Sequence, residues 1–311
     1  MSPRPRVRPP AVPAGGVLGV CAPAGPVNAD RLHTGLSRLA DLGFQLRLAP
    51  GILERQGFLA GDDATRASDF LGLWRDPEVD AVLCARGGYG ALRLLRALDG
   101  TPLSRGAKAL VGFSDITALH QLLARHGVVS FHGLLVEAPE GGPPPADIHA
   151  LVRALTQTDP LGEIPWPSGG PDPVCVVPGR AEGPLVGGNL SLLAATAGTP
   201  WELQPAGCLL LLEDVGERPY TLDRYLTQLF LAGHLEAATG FVIGEFIDCT
   251  GGADEPTALQ VVTERLGRLG KPCLANLPLG HGAHKLTVPL GVRAVLDAGA
   301  ARLEFVEPAL T

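Results

Sequence analysis

Residues 108–123 read KALVGFSDITALHQLL, and the stretch changes character halfway along. The apolar run Ala109-Leu110-Val111-Gly112-Phe113 has the length and content of a buried strand. Ile116 to Leu123 has the spacing of an amphipathic helix. Between them lies Gly112-Phe113-Ser114-Asp115. A serine at a sharp strand-to-helix turn holds its hydroxyl above the sheet edge, and the next backbone N–H is an orphan donor of the helix. The pattern departs from G-x-S-x-G, because Ile116 stands where the second glycine would be. The plainer alternative is that Ser114 caps the helix while Asp115 adds favourable charge at its N-terminus.

The neighbouring sequence repeats the strand–helix alternation. Val17 to Pro23 reads as a first strand, followed by a helix capped by Asn28 and stopped at Gly43. Phe44 to Leu48 is a second strand, and Asp62 or Asp63 starts a helix carrying Phe70, Leu71 and Trp74. Val79 to Ala85 is a third strand, Leu92 to Leu98 a helix, and Val128 to Phe131 a strand after the 108–123 unit. Such alternation predicts a doubly wound parallel sheet with right-handed crossovers, which binds ligands at the carboxyl ends of its strands. Ser114, Arg86 and His132 all fall at such ends.

Beyond this region the pattern changes. EAPEGGPPPAD (137–147) and the Pro- and Gly-rich residues 159–173 read as connecting chain. Short strands are expected around Val174–Val177, Leu209–Glu213, Phe241–Glu245 and Val292–Leu296, with helices at 188–197, 219–231 and 255–268. The expected organisation is a tail at 1–16, a doubly wound domain at 17–138, a linker region at 139–172 and a smaller mixed α/β domain at 173–311.

At 311 residues the chain exceeds one typical core, which agrees with two domains. It is 46% hydrophobic and 18% charged, a globular balance, with a net charge of −7 that carries no nucleic-acid footprint. None of the six cysteines lies in a C-x-x-C pair, so they read as reduced core residues of a cytoplasmic protein, not a zinc or disulfide framework. Prolines interrupt the basic N-terminal stretch MSPRPRVRPPAVPAGG, so it does not read as a signal peptide. No apolar run reaches membrane-spanning length.

Four further places could carry chemistry. Arg86-Gly87-Gly88-Tyr89-Gly90 follows a buried strand, but Arg93 breaks a G-x-G-x-x-G fingerprint. Backbone N–H groups there, near Gly88, read as a second oxyanion donor in preference to a phosphate site; a tight turn without a ligand is the bland reading. Glu213 ends the apolar run Cys208–Leu212, where a buried carboxylate needs a partner. A structural ion pair with Arg218 or Arg224 would satisfy it, and Asp214 and Glu217 are neighbours able to do the same work. His281 lies between Gly280 and Gly282, with His284 close by, and His132 is a rival. His120 and His126, on and after the elbow helix, are expected to point away from the site.

Together, Gly112-Phe113-Ser114-Asp115, Gly187-Gly188-Asn189-Leu190, Leu212-Glu213-Asp214-Val215-Gly216-Glu217 with Pro219-Tyr220, and Gly280-His281 with Pro289-Leu290-Gly291 resemble the LD-carboxypeptidase family of serine peptidases. The resemblance runs from about Val17 to Leu296. It implies a flavodoxin-like N-terminal domain, a smaller C-terminal domain supplying Glu213 and His281, an active site at their junction, and a homodimer. It implies Ser114 as nucleophile, His281 as base and Glu213 as its orienting carboxylate, without metal or cofactor. The Asp115 N–H and an N–H near Gly88 would form the oxyanion hole, and Arg86 or Asn189, by position, would bind the substrate carboxylate. The implied activity is removal of the terminal D-alanine from a murein tetrapeptide in the cytoplasm, with neither nucleic acid nor membrane as partner. Within the family the alternative is a microcin C self-immunity peptidase acting on aminoacyl-nucleotide conjugates, with Trp166 or Trp201 as a platform for the base. Outside it, the alternative is a non-catalytic flavodoxin-like ligand-binding module.

Overall fold

The structure, a computed structural model, describes residues 6–311. It divides into two compact units. The first runs to Thr158 and takes in Thr287–Pro289 and Ala309–Thr311; the second comprises Asp159–Leu286 and Leu290–Pro308.

The first unit is built from β1 (Val17–Cys21), α1 (Ala29–Asp41), β2 (Gln45–Leu48), α2 (Asp63–Arg75) and β3 (Ala81–Cys84). A 3-10 turn at Ala91–Leu94 leads into α3 (Leu95–Leu98), then β4 (Ala109–Gly112), α4 (Thr117–Arg125), β5 (Ser130–His132) and α5 (Pro145–Thr156). Asn28 and Asp62 cap α1 and α2 through their side chains, as their sequence positions predict. The strands lie in the order β5-β4-β3-β1-β2, all paired in parallel. That is the flavodoxin-like order, whose ligand crevice opens between β1 and β3 at the carboxyl edge. Every residue of β3 and β4 is buried, which explains their continuous apolar runs. A strand from late in the chain, Val288–Leu290, extends the sheet beyond β5.

The second unit contains β6 (Gly162–Glu163), β7 (Val174–Val177), β8 (Arg180–Asn189), α6 (Leu190–Thr196), β9 (Leu209–Val215), α7 (Pro219–Leu231), α8 (His234–Ala237) and β10 (Gly240–Ile247). After these come α9 (Ala258–Gly267), β11 (Cys273–Ala275), β13 (Arg293–Asp297) and β14 (Arg302–Phe305), with β12 being the Val288–Leu290 strand above. Its eight-stranded sheet runs β6-β14-β13-β8-β9-β10-β11-β7. The central strands β8 to β11 are parallel and the flanking pairs antiparallel. Leu209 to Leu212 are wholly buried, and Leu210 and Leu212 share a core with Leu222, Leu226 and Leu229 of α7.

Three expectations about organisation change here. The tail expected at 1–16 is bound from Val7 onward. Val7 bridges Val128, the Val12 N–H donates to the Leu155 carbonyl, and Val12 is buried. Prolines favour an extended chain, and that shape lets this segment run along existing structure. Residues 1–5 lie outside the described residues. The linker region expected at 139–172 holds α5, because Pro145 occupies the first helical position, where a missing N–H costs nothing, and Leu151, Ala154 and Leu155 supply a buried face. The ten-residue strand β8 was not expected, since Gly183, Gly187 and Gly188 interrupt its apolar pattern. Gly183 and Gly187 are close approaches: a Cβ on Gly187 would lie 2.1 Å from the Leu211 carbonyl oxygen.

Candidate functional site

In the first unit the turn after β4 is the strained elbow that the sequence suggests. Phe113 is extended, and Ser114 then takes φ 65°. That region is uncommon for a non-glycine residue and costs energy that the surroundings must supply. Residues Ser114–Ile116 form one 3-10 turn before α4 begins at Thr117. Gly112 leaves room for the Ile116 and Cys84 side chains, at 2.9 and 3.2 Å from where a Cβ would stand. Ser114 is half-buried.

The glycine turn after β3 lies against this serine. A Cβ on Gly87, not Gly88, would fall 2.9 Å from the Ser114 Cβ and 3.1 Å from Oγ. Gly88, at φ 102°, sits one residue further along, near Gly25. The two turns are tied by Asp115, whose Oδ2 accepts the Ala91 N–H at 2.7 Å. Burial pushes the Asp115 carboxyl up to about 6, against backbone N–H groups of Ala91 and Gly90 and the charge of Arg66. Arg86 is exposed, and its Nη1 donates to the Pro26 carbonyl at 2.9 Å.

His120, expected to point away, supports the elbow from behind. Its Nε2 donates to the Gly112 carbonyl at 2.8 Å, which leaves Nδ1 to accept the Ser130 hydroxyl at 2.9 Å. Burial lowers its pKa to about 4, so it stays neutral. The periodicity of α4 carries no trace of this role, because a buried histidine on a helix reads as an ordinary core position. His132 is wholly buried, with its ring against Phe113 and His120.

In the second unit the carboxyl ends of parallel strands again carry the polar groups. Glu213, near the end of β9, is completely buried, and its Oε2 faces His281 Nδ1 at 2.7 Å. The neighbouring Asp214 points to the other face, as strand alternation requires. It accepts from Asn189 Nδ2 at 2.9 Å and from the Ser191 N–H at 2.8 Å. Burial, with the adjacent Glu213 charge adding to it, raises Asp214 to about 6.

Asn189, a sequence candidate for binding substrate carboxylate, is only 3% exposed and does structural work. Its Oδ1 caps α6 by accepting the Leu192 N–H and the Ser191 hydroxyl, while its amide reaches Asp214. A side chain so committed is a helix cap. Glu217, the other neighbour considered, accepts from the Tyr225 hydroxyl at 3.4 Å. Trp166 donates its indole N–H to the Ala301 carbonyl at 2.7 Å, and Trp201 is half-buried.

The glycines on either side of His281 each lie against a carboxylate. A Cβ on Gly280 would stand 2.5 Å from Glu213 Oε2, and one on Gly282 would stand 1.6 Å from Glu245 Oε2. They make room for carboxylates. Among the described residues, no group of three or more His, Cys, Asp or Glu could hold a metal ion. Also among them, no helix is long and apolar enough to cross a membrane. All six cysteines are free thiols; Cys175 is exposed, against the expectation of a core residue, because β7 is the edge strand of its sheet.

An elbow serine on a flavodoxin-like sheet and a histidine clamped by a buried glutamate define a hydrolase-type α/β protein. The LD-carboxypeptidase N-terminal domain model matches residues 18–133, and the C-terminal domain model matches 182–296. The chain belongs to the LD-carboxypeptidase family and is a peptidase of that family. It is 37% identical to the probable murein peptide carboxypeptidase of Bacillus subtilis, over 93% of this chain and 91% of the relative. It is 33% identical to the murein tetrapeptide carboxypeptidase of Pseudomonas aeruginosa, covering 93% and 96%, and 27% identical to the microcin C7 self-immunity protein of Escherichia coli, covering 95% and 94%. The crystal structure of muramoyltetrapeptide carboxypeptidase from Oxalobacter formigenes superposes with a TM-score of 0.81 at 28% identity, covering 95% and 100%.

Proposed function

We propose that the protein is a cytoplasmic serine carboxypeptidase, working as a homodimer, that hydrolyses the L,D-peptide bond to the terminal D-alanine of murein tetrapeptides. The observation that carries the reading is Ser114 itself, a non-glycine residue held at φ 65° at a strand-to-helix turn. Strain of that kind persists where it serves a site. The relatives named for murein peptides support the choice of substrate.

In the proposed reaction Glu213 accepts a hydrogen bond from His281 Nδ1–H, which fixes the tautomer and leaves Nε2 as the base. Nε2 takes the Ser114 hydroxyl proton as Oγ attacks the carbonyl that precedes D-alanine. The Asp115 N–H and the Gly88 N–H stabilise the oxyanion. The imidazolium gives its proton to the amine of D-alanine, the C–N bond breaks, and an acyl-enzyme remains. Water, deprotonated by His281, then releases the tripeptide and restores the serine. Arg86, exposed beside the glycine turn, pairs with the free carboxylate that marks the substrate's end.

The test is mass spectrometry of muropeptides incubated with wild type and Ser114→Ala. Wild type should convert tetrapeptide to tripeptide with release of D-alanine and leave an L-alanine terminus intact. Ser114→Ala should lose several orders of magnitude in rate. Full activity in that variant, or equal rates on both epimers, would overturn the reading.

A further inference from the structure

One carboxylate at the edge that carries Glu213 has no part in the His281–Glu213 pair. Glu245 lies near the end of β10, where pairing with β9 shifts register between Ile243 and Phe246. It is 7% exposed, and among the described residues its Oε2 has no hydrogen-bond partner. The position that a Gly282 Cβ would occupy is 1.6 Å from that oxygen, so the carboxylate rests on the backbone of the residue after His281. Lys285 and His284 of the same loop lend it positive potential while burial pushes it up. The Lys285 ammonium itself donates to the Gly282 carbonyl at 2.6 Å.

A buried carboxylate oxygen without a donor is costly, and such a group needs a reason to be kept. The missing complement is a cationic donor. Successive Cα atoms are about 3.8 Å apart, so Glu245 is about one residue's length from the backbone of His281. We propose that Glu245 receives the side-chain ammonium of the substrate residue whose carbonyl is attacked. This rests on the reading above, which places that carbonyl beside the His281 imidazole. A lysine or diaminopimelate side chain carries its amine on an aliphatic stem four or so atoms long, enough to leave the reacting centre and reach a neighbouring acceptor. Glu245 is thereby the residue that selects an amine-bearing third position over an aliphatic one. Sites built to bond a polar group reject analogues that lack it, because their own buried group is then left unpaired.

The experiment compares kcat/KM on L-Ala-D-Glu-L-Lys-D-Ala and on the same peptide with L-norleucine in third place. A charged hydrogen bond at a buried site predicts that wild type favours the lysine peptide roughly ten- to a hundredfold. In Glu245→Gln the ratio should fall to near one, chiefly through the lysine peptide's KM. Its melting temperature should equal or exceed that of wild type, because an unmatched buried carboxylate has been removed. If wild type cleaves both peptides equally, or if Glu245→Gln keeps the preference, the inference is wrong while the peptidase reading stands. If wild type cleaves neither of these nor the same peptide with meso-diaminopimelate in third place, the murein carboxypeptidase reading itself has failed. Should Glu245→Gln not fold, Glu245→Asp takes its place: a weakened but persistent preference supports the role, and an equal fall on both peptides overturns it.

Discussion

Gly280→Ala asks whether the glycine before His281 exists to seat Glu213. The added methyl would stand 2.5 Å from Glu213 Oε2, 2.9 Å from Cγ and 3.0 Å from Cβ. Glu213 has little space to retreat: it is 0% exposed, and on its other side Gly244 is already so close that a Cβ there would lie 2.9 Å from the Glu213 Cβ. The backbone adds a second cost, since Gly280 sits at φ 134°, a conformation that L side chains rarely adopt. Strain of that kind costs about 1–3 kcal/mol, and overpacking of a buried site costs about the same again. The clash falls on the same oxygen that bonds His281 Nδ1 at 2.7 Å, so relieving it displaces that oxygen and disturbs the bond. Losing the group that orients a catalytic histidine lowers kcat by roughly 10⁴-fold in enzymes where it has been removed. The assay is urea denaturation beside kcat/KM, with Gly270→Ala as control. Gly270 has φ 64° and open space around its missing side chain, so its variant should lose about 1 kcal/mol of stability and no activity. A folded Gly280→Ala enzyme with wild-type kcat/KM would refute the reasoning.

Glu213→Gln should keep the fold and lose most activity, whereas Asp214→Asn should turn an amide N–H toward the Ser191 N–H and cost about 1 kcal/mol of cap stability with kcat little changed; a crippled Asp214→Asn beside a near-normal Glu213→Gln would reverse the assignment. Asp115 has a folded pKa of about 6 against an ordinary 3.8. Its stabilising contribution is therefore complete below pH 4 and lost as pH rises through 6, roughly 3 kcal/mol in all. Asp115→Asn, which can still accept the Ala91 N–H, should flatten denaturation stability between pH 4 and 6, and an unchanged pH profile would show the shift to be absent. His281→Ala should abolish labelling of Ser114 by a fluorophosphonate probe and His284→Ala should not; the opposite pattern would make His284 the base.

The first unit was largely legible from sequence because β1, β3 and β4 are apolar runs set off by caps and glycines. Asn28, Asp62 and Gly43 mark helix ends by chemistry that acts within a few residues, and the structure uses them as expected. The second unit was less legible. β8 carries glycines that its neighbours require, and those glycines erase the alternation that marks a strand. α5 was hidden by Pro143-Pro144-Pro145, read as linker although the last proline is a helix start. Among the proposed site residues, Ser114, Glu213 and His281 were accessible from local pattern and family resemblance. Asn189 was not, because a capping asparagine and a ligand-binding one look alike until their partners are known. Gly87, Asp115 and His120 support the elbow through contacts distant in sequence, and no local spacing encodes those.

The glycines flanking His281 show what holds the proposed base in place. The loop from Asn276 to Lys285 has no regular secondary structure of its own, so nothing within it fixes the imidazole. Glu213 does, through its bond with Nδ1, while Glu245 lies against Gly282 without a bond to the ring; both are close to the carboxyl ends of parallel strands. Those strands are in turn fixed by an apolar core that includes Leu210, Leu212, Phe241 and Ile243. Causation therefore runs from the leucine-rich core to the strand ends, from the strand ends to Glu213, and from Glu213 to the imidazole. The strain at Ser114 is held within the first unit, by Gly87, Asp115 and His120 around the turn that contains it. Removing the Glu213 charge should consequently alter catalysis while leaving the elbow's geometry as it is. A core change such as Leu212→Ala should lower stability by about 2–5 kcal/mol and loosen the position of Glu213 as well.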